Sequence, residues 1–230
     1  MSAPLRAEGL VAGYGKVTVV RDVDLEVRAG EVAALLGPNG AGKTTTILTL
    51  AGELAPLGGT VSFRDLGGRL PLHKRARAGL ALVTDARAVF TRMTVAENIR
   101  AFRTTTDAVL ALFPELEAHL GRRVALLSGG QQQMLALGLA LSRRPAVILA
   151  DELSMGLAPL IVDRLFAVLR TAADEGVGVL LVEQHVHKAM TIADRVYVMD
   201  RGRIAISGTA EELGKRVDEI QASYLTGTPT

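Results

Sequence analysis

Lys43, Thr44 and Thr45 follow a loop of six residues, Gly37, Pro38, Asn39, Gly40, Ala41 and Gly42, in the spacing G-x-x-x-x-G-K-[ST]. Glycines tolerate positive φ, so successive backbone N–H groups in such a loop can turn inward and form a nest for an anion. A helix opening near Lys43 aims the positive end of its dipole at the same spot. Lys43 would then neutralise β- and γ-phosphates, and the Thr44 hydroxyl would reach a Mg²⁺ ion. The plainer alternative is a glycine-rich turn between strand and helix. The apolar run Glu31, Val32, Ala33, Ala34, Leu35 and Leu36 before the loop favours nucleotide binding, because phosphate loops sit between a buried strand and a helix.

Other residues need their elements to be judged. The continuous apolar run Ala146, Val147, Ile148, Leu149 and Ala150 predicts a strand covered on both faces. It delivers Asp151 and Glu152 at its C-terminal end, where open α/β sheets hold their ligand crevice. Ser128, Gly129, Gly130 and Gln131 form S-x-x-Q ahead of an apolar run, the capping-box start of a helix that runs to Arg143 and Arg144 before Pro145. Tyr14 lies between Gly13 and Gly15, either as a turn aromatic covering a sheet edge or as a ring that stacks on a nucleotide base.

Around these, Leu5 to Leu10 and Val17 to Val27 alternate as strands of an antiparallel sheet with one face covered. The helix after the phosphate loop should stop at Gly52, and strands are expected from Gly58 to Phe63 and from Leu80 to Thr84, the latter ending at Asp85. His73, Lys74, Arg75 and Arg77 suit the solvated face of a short helix, with contact to lipid headgroups as the alternative. Residues 94–142 are expected to be mainly helical, interrupted by Pro114. Then come a helix from Asp163 to Ala173, a buried strand from Val177 to Val182, a helix from His187 to Asp194 and a hairpin from Arg195 to Ser207. A second capping box, Thr209 with Glu212, starts a terminal helix, and frayed residues end the chain from Thr226.

Composition narrows the function classes. With 230 residues and 49% hydrophobic content the chain can bury one full α/β core and a smaller lobe, but no second nucleotide domain. A net charge of +2 is too balanced to argue for nucleic acid, and 3% aromatic content without Trp leaves few stacking platforms for single strands. The absence of cysteine excludes disulfides and thiolate metal sites and permits a reducing compartment. No stretch approaches the roughly 20 apolar residues that span a bilayer, and the N-terminus lacks a secretion signal. The expectation is a soluble protein whose membrane role, if any, comes through a partner.

Taken in order, the phosphate loop, a helical insertion, Leu127-Ser128-Gly129-Gly130-Gln131 and the strand ending in Asp151 and Glu152 resemble the ATP-binding cassette (ABC) ATPases over almost the whole length. The resemblance implies a P-loop NTPase (RecA-like) α/β core with a mostly parallel sheet, an N-terminal antiparallel β subdomain and an inserted α-helical subdomain. It divides one domain, 1–230, into core segments 1–85 and 146–230 and a helical subdomain at about 86–145. The cofactors implied are ATP and Mg²⁺. Asp151 would hold the metal with Thr44, and Glu152 would polarise the attacking water as general base. The start of the signature helix, with Ser128, Gly129, Gly130 and Gln131, is shaped to receive an anion. In the family it closes over the γ-phosphate held by a second subunit, which implies a head-to-tail dimer, homodimer or heterodimer, with two composite sites.

Met93, Thr94, Val95, Ala96, Glu97, Asn98 and Ile99, the run from Leu112 to Leu116, and the loop from Ser154 through Met155, Gly156, Leu157 and Ala158 to Pro159 are similar to the ATPase subunits of branched-chain amino acid importers. Such systems pair two cytoplasmic ATPases, peripheral on the inner membrane face, with two membrane permeases and, indirectly, an external solute-binding protein; the groove around Asp85 to Met93 passes the motion on. Several positions depart from the family pattern. Asp85 stands at the Q-loop, a shorter carboxylate toward metal and water. Gln184 stands at the switch position, with His185 one place later. Leu153 follows Asp151 and Glu152 where Pro is common, Ala158 stands where Asp is usual, and the helical insertion is short. Asp85 and Gln184 motivate a second reading, an ATP-gated switch with little turnover. A soluble ABC ATPase of DNA repair or translation would need coiled-coil insertions or tandem cassettes, which do not fit here.

Overall fold

The computed structural model describes residues 4–64, 66, 69–84 and 89–215. Asp85 and the terminal residues from Thr226 therefore lie outside the described residues.

Strands β1 (Leu5–Tyr14) and β2 (Val17–Val27) form an antiparallel hairpin, and β4 (Gly58–Phe63) joins the other edge of β1. The alternation in β2 is what period-2 burial demands: Val23, Leu25 and Val27 are buried, while Asp22 and Asp24 are exposed. Between these strands in sequence lie β3 (Val32–Leu36), buried throughout, and helix α1 (Lys43–Ala51), which ends on the left-handed Gly52. Helix α2 (Leu72–Arg77) follows β4, and β5 (Leu80–Val83) follows α2.

The next segment is helical. It contains α3 (Val95–Ala101), capped by Thr94 and Glu97, α4 (Thr106–Leu112), 3₁₀ turns over Pro114–His119 and Val124–Leu126, and α5 (Gly129–Leu141). Pro114 opens a 3₁₀ turn directly after α4, as a residue without a backbone N–H should. Strand β6 (Val147–Asp151), helix α6 (Pro159–Asp174), strand β7 (Gly178–Glu183), helix α7 (Val186–Met190), the hairpin β8 (Arg195–Asp200) and β9 (Arg203–Thr209), and helix α8 (Ala210–Gly214) complete the described chain.

Among the described residues the second sheet has the order β5-β6-β7-β3-β8-β9, parallel except for β9. The pleat of β3 divides two cores. Val32, Ala34 and Leu36 pack in one core with Leu135 of α5 and Leu165 and Leu169 of α6; Ala33 and Leu35 pack in the other with Ile47 and Leu50 of α1 and Leu5 and Val27 of the N-terminal sheet. Register sets the working edge: Leu36 pairs with Glu183 and Asp151 with Val182, so β3, β6 and β7 end side by side. The glycine loop leaves from the same edge, which is the crevice position of an open α/β sheet.

Three sequence expectations need correction. Arg75 is 1% exposed and not on a solvated face; its guanidinium donates to the Leu50 carbonyl in the last turn of α1, where a cation meets the negative end of the helix dipole. Helix α6 starts at Pro159, four residues before Asp163, because proline suits a first helical position. Helix α7 stops at Met190, with Asp194 outside it: its carboxylate accepts from the Val32 N–H at 2.8 Å and from Arg170 at 2.7 Å.

Candidate active site

The loop from Gly37 to Gly42 is shaped by what its glycines exclude. A β-carbon on Gly37 would lie 2.3 Å from the Met199 carbonyl of β8, so only hydrogen fits there. Gly42, at φ 109°, caps α1 in a left-handed conformation, and among the described residues no side-chain cap bond closes the first turn. The Gly42 carbonyl accepts from both the N–H (2.9 Å) and the Oγ1 (2.9 Å) of Thr46, which fixes the loop onto the helix.

Lys43 is 4% exposed, and its Nζ donates to the carbonyls of Gly37 (2.8 Å) and Pro38 (3.1 Å). The same Nζ is 3.9 Å from Glu152 Oε1. Burial lowers the Lys43 pKa, and Glu152, Asp151 and Glu183 oppose that shift as nearby negative charges. Thr44 is exposed and Thr45 buried. Asn39, Gly40, Lys43, Thr44 and Glu152 line a cavity of about 150 Å³, closed on one side by Val19 of the β1–β2 hairpin. Ala41, within the loop, is buried.

Asp151 ends β6 and is buried. Glu152 follows at φ 49°, a left-handed conformation that costs an L-residue roughly 1–2 kcal/mol. Its N–H donates to the Val182 carbonyl at 2.9 Å, and its Oε1 accepts from Gln184 Nε2 at 2.9 Å. His185 lines a different cavity, with Ser154, Leu157 and Lys188. Of Gln184 and His185, it is Gln184, a neutral amide, that hydrogen-bonds Glu152.

Ser128 and Gln131 form the reciprocal box that their spacing predicts: Ser128 Oγ accepts from the Gln131 N–H (3.2 Å) and Gln131 Oε1 from the Ser128 N–H (3.0 Å). Gln131 Nε2 also lies 2.8 Å from His119 Nε2. Gly130 has a packing reason, since a β-carbon there would come within 2.8 Å of Ile161 on α6. The lining of the 150 Å³ cavity includes Lys43 and Glu152 but none of Ser128, Gly129, Gly130 and Gln131. Tyr14, about half exposed at the hairpin, is likewise outside that lining. Asp85 lies outside the described residues.

Sequence reasoning missed Val19, Met199 and Glu183. The first two are apolar contacts set by tertiary packing. Glu183 carried a legible signal, a carboxylate at the end of an apolar strand, the same signal that singled out Asp151. Chemically, the arrangement can hold a polyphosphate on backbone amides and one buried ammonium, with a carboxylate held beside it by an amide.

Residues 20–154 match the family profile described as ABC transporter. The chain is 39% identical over 225 residues to the high-affinity branched-chain amino acid transport ATP-binding protein BraG of Pseudomonas aeruginosa, covering 93% of this chain and 96% of the relative. It is 33% identical to the lipopolysaccharide export system ATP-binding protein LptB of Escherichia coli K12, covering 97% of each. Among solved structures, one titled as the ATP binding subunit of an ABC transporter superposes with a TM-score of 0.84 at 26% identity, over 97% of this chain and 100% of that one. The ADP conformation of an ATP-binding cassette of an ABC transporter gives 0.83 at 25% identity, over 96% and 99%.

Proposed function

This chain belongs to the ABC transporter ATP-binding family and is an ATPase; on that premise we propose that it drives uptake of branched-chain amino acids through a membrane permease. The meeting of Lys43 and Glu152 at the cavity on the sheet edge, with Gln184 bonded to Glu152, carries the hydrolytic part of this reading, and the similarity to BraG supports the transported class.

Each residue then has a task. The amides from Gly37 to Gly42 and the start of α1 bind the phosphates of ATP, and Lys43 exchanges its loop carbonyls for phosphate oxygens. The hydroxyl of Thr44 and the carboxylate of Asp151 are hard oxygen donors, a set that fits Mg²⁺ shared with substrate phosphates. When bound, the metal would neutralise charge on the β- and γ-phosphates. Glu152 accepts a proton from the attacking water, and Gln184 keeps its carboxylate oriented. Tyr14 would stack on the base. The Ser128-to-Gln131 start of a second copy closes over the γ-phosphate, so that hydrolysis opens the pair. ATP can work this way only if the closed pair binds it more tightly than the open one.

A groove of about 500 Å³ between α2, β5 and α5, lined by Arg77, Leu82, Thr84, Phe102, Leu139 and Arg143, supports docking of a permease segment. In this reading 86–145 is the helical subdomain that moves against the core. Among the described residues no helix is long and apolar enough to cross a membrane, so attachment to the cytoplasmic face would come through the permease. An external solute-binding protein would supply the solute. The similarity to BraG favours amino-acid uptake over the lipopolysaccharide export of LptB.

Phosphate release by the purified chain with Mg-ATP tests the catalytic reading: Glu152→Gln should abolish turnover while ATP still binds. Tight binding by the parent chain without turnover, even with its permease, would favour the ATP-gated switch. That second reading is supported by Gln184, whose neutral amide donates to Glu152 from the switch position. Leucine uptake by a strain deleted for this chain tests the transported class, and uptake at the undeleted rate would reject it.

A further inference from the structure

Three consecutive residues at the end of β7, Val182, Glu183 and the following Gln184, hold three points of the loop that leaves β6. The Val182 carbonyl accepts from the Glu152 N–H at 2.9 Å, and Gln184 Nε2 donates to Glu152 Oε1 at 2.9 Å. Between them, the Glu183 carboxylate accepts twice from Ser154, from its N–H at 3.0 Å and from its Oγ at 2.7 Å. The Met155 N–H returns to the Glu152 carbonyl at 3.2 Å and closes the turn.

Glu183 is 1% exposed, and burial raises its carboxyl pKa against the lowering effect of the two Ser154 bonds. An apolar side chain would fill the end of a buried strand without that desolvation cost, so the carboxylate needs a reason to be there. The reason lies in what it grips. Glu152 occupies a left-handed conformation that an L-residue keeps only where its surroundings over-determine it. Its backbone N–H is fixed by Val182, and the chain two residues on is fixed by Glu183.

We propose that Glu183 is a positioning residue: by clamping both polar groups of Ser154 it holds the turn that keeps the Glu152 carboxylate beside Lys43 and in reach of Gln184. This inference rests on the reading of Glu152 as general base. Glu183 touches Ser154 and acts on Glu152 only through the backbone between them. Glutamine at 183 can preserve the clamp, because its carbonyl can accept from the Ser154 N–H and its amide can donate to Ser154 Oγ. Alanine cannot.

The test compares Glu183→Gln, Glu183→Ala, Ser154→Ala and Glu152→Gln in the full chain. It measures steady-state phosphate release, ATP affinity and hydrogen exchange at the Ser154 amide. Glu183→Ala should lower kcat by about 10- to 100-fold while KM for ATP stays within about threefold, since a misplaced catalytic group costs turnover more than binding. Glu183→Gln should stay within about threefold of the parent, and Ser154→Ala, which keeps the N–H bond, should fall between. Exchange at the Ser154 amide should quicken in Glu183→Ala and not in Glu183→Gln.

Parental turnover in Glu183→Ala, or loss of ATP affinity in proportion to turnover, would overturn the proposal. If Glu183→Ala does not fold, the other two variants decide: a near-parental glutamine variant with a slowed Ser154→Ala supports it, and a parental rate in Ser154→Ala overturns it. Failure of the underlying reading is separate. It would be seen as turnover surviving in Glu152→Gln, and it would remove the proposal as well.

Discussion

Helices α1 and α5 both have glycine at their N-terminal ends, Gly42 as the cap of α1 and Gly129 as the first residue of α5, yet their first turns are built in opposite ways. At α1 the cap is Gly42, no side-chain cap bond reaches the leading amides among the described residues, and no acidic residue occupies the first turn. At α5 the cap is Ser128, and Ser128 and Gln131 satisfy one another's backbone N–H groups. The first start leaves donors for an anion to complete; the second holds its own shape and offers the anion a rim. In the proposed pair these two starts, from different copies, meet across one triphosphate. The difference assigns affinity to α1 and closure to α5, so damage to each should show in a different measurement.

Removing the cation at the open start should have the largest effect. Lys43→Ala should weaken ATP binding by about 100-fold or more, the loss of nearly 3 kcal/mol expected for charged hydrogen bonds in a buried site; calorimetric titration checks this, and unchanged affinity would break the assignment of binding to α1. Gly42→Ala keeps the charge and strains the cap. With φ at 109° and Met199 Sδ 3.4 Å from the new methyl, it should cost about 1–2 kcal/mol of stability and lower the melting temperature by about 2–8 °C, with weaker ATP binding.

At the closed start the effects should be smaller and should spare affinity. Ser128→Ala should cost about 1 kcal/mol of stability, seen as a melting shift of about 2–4 °C, and leave ATP binding to a single copy unchanged while pairing weakens. A drop in single-copy affinity would mean that α5 binds rather than closes. His119→Leu removes one contact to Gln131 and leaves the box intact, so it should cost about 0.5–1 kcal/mol in a denaturant titration.

The same contrast bears on how far sequence reasoning reached. Both helix starts were legible because they are local: glycine spacing fixes a loop, and S-x-x-Q fixes a box, whatever surrounds them. The strand ending in Asp151 was legible because five apolar residues in a row have one economical use, a strand buried on both faces. What escaped depends on distant partners. Arg75 reads as a surface cation until the carbonyl end of α1 is brought against it. Asp194 reads as helical until Val32 and Arg170 draw its carboxylate away. Gly130 has a packing reason that its sequence neighbours do not show, since Ile161 lies where a β-carbon would go. Glu183 has no sequence neighbour that reveals its role, because Ser154 is 29 residues away. Gln184 was placed at the switch position by resemblance, and its bond to Glu152 emerged only when β6 and β7 came into register.

The central claim is that two copies of this chain close over ATP through their unlike helix starts. Sedimentation of Glu152→Gln with saturating Mg-ATP tests it most directly. The account predicts a boundary at twice the monomer mass that reverts to the monomer when Ser128→Arg is added, with ATP still bound to each copy. A monomeric boundary for ATP-saturated Glu152→Gln, or a dimer indifferent to Ser128→Arg, would contradict it.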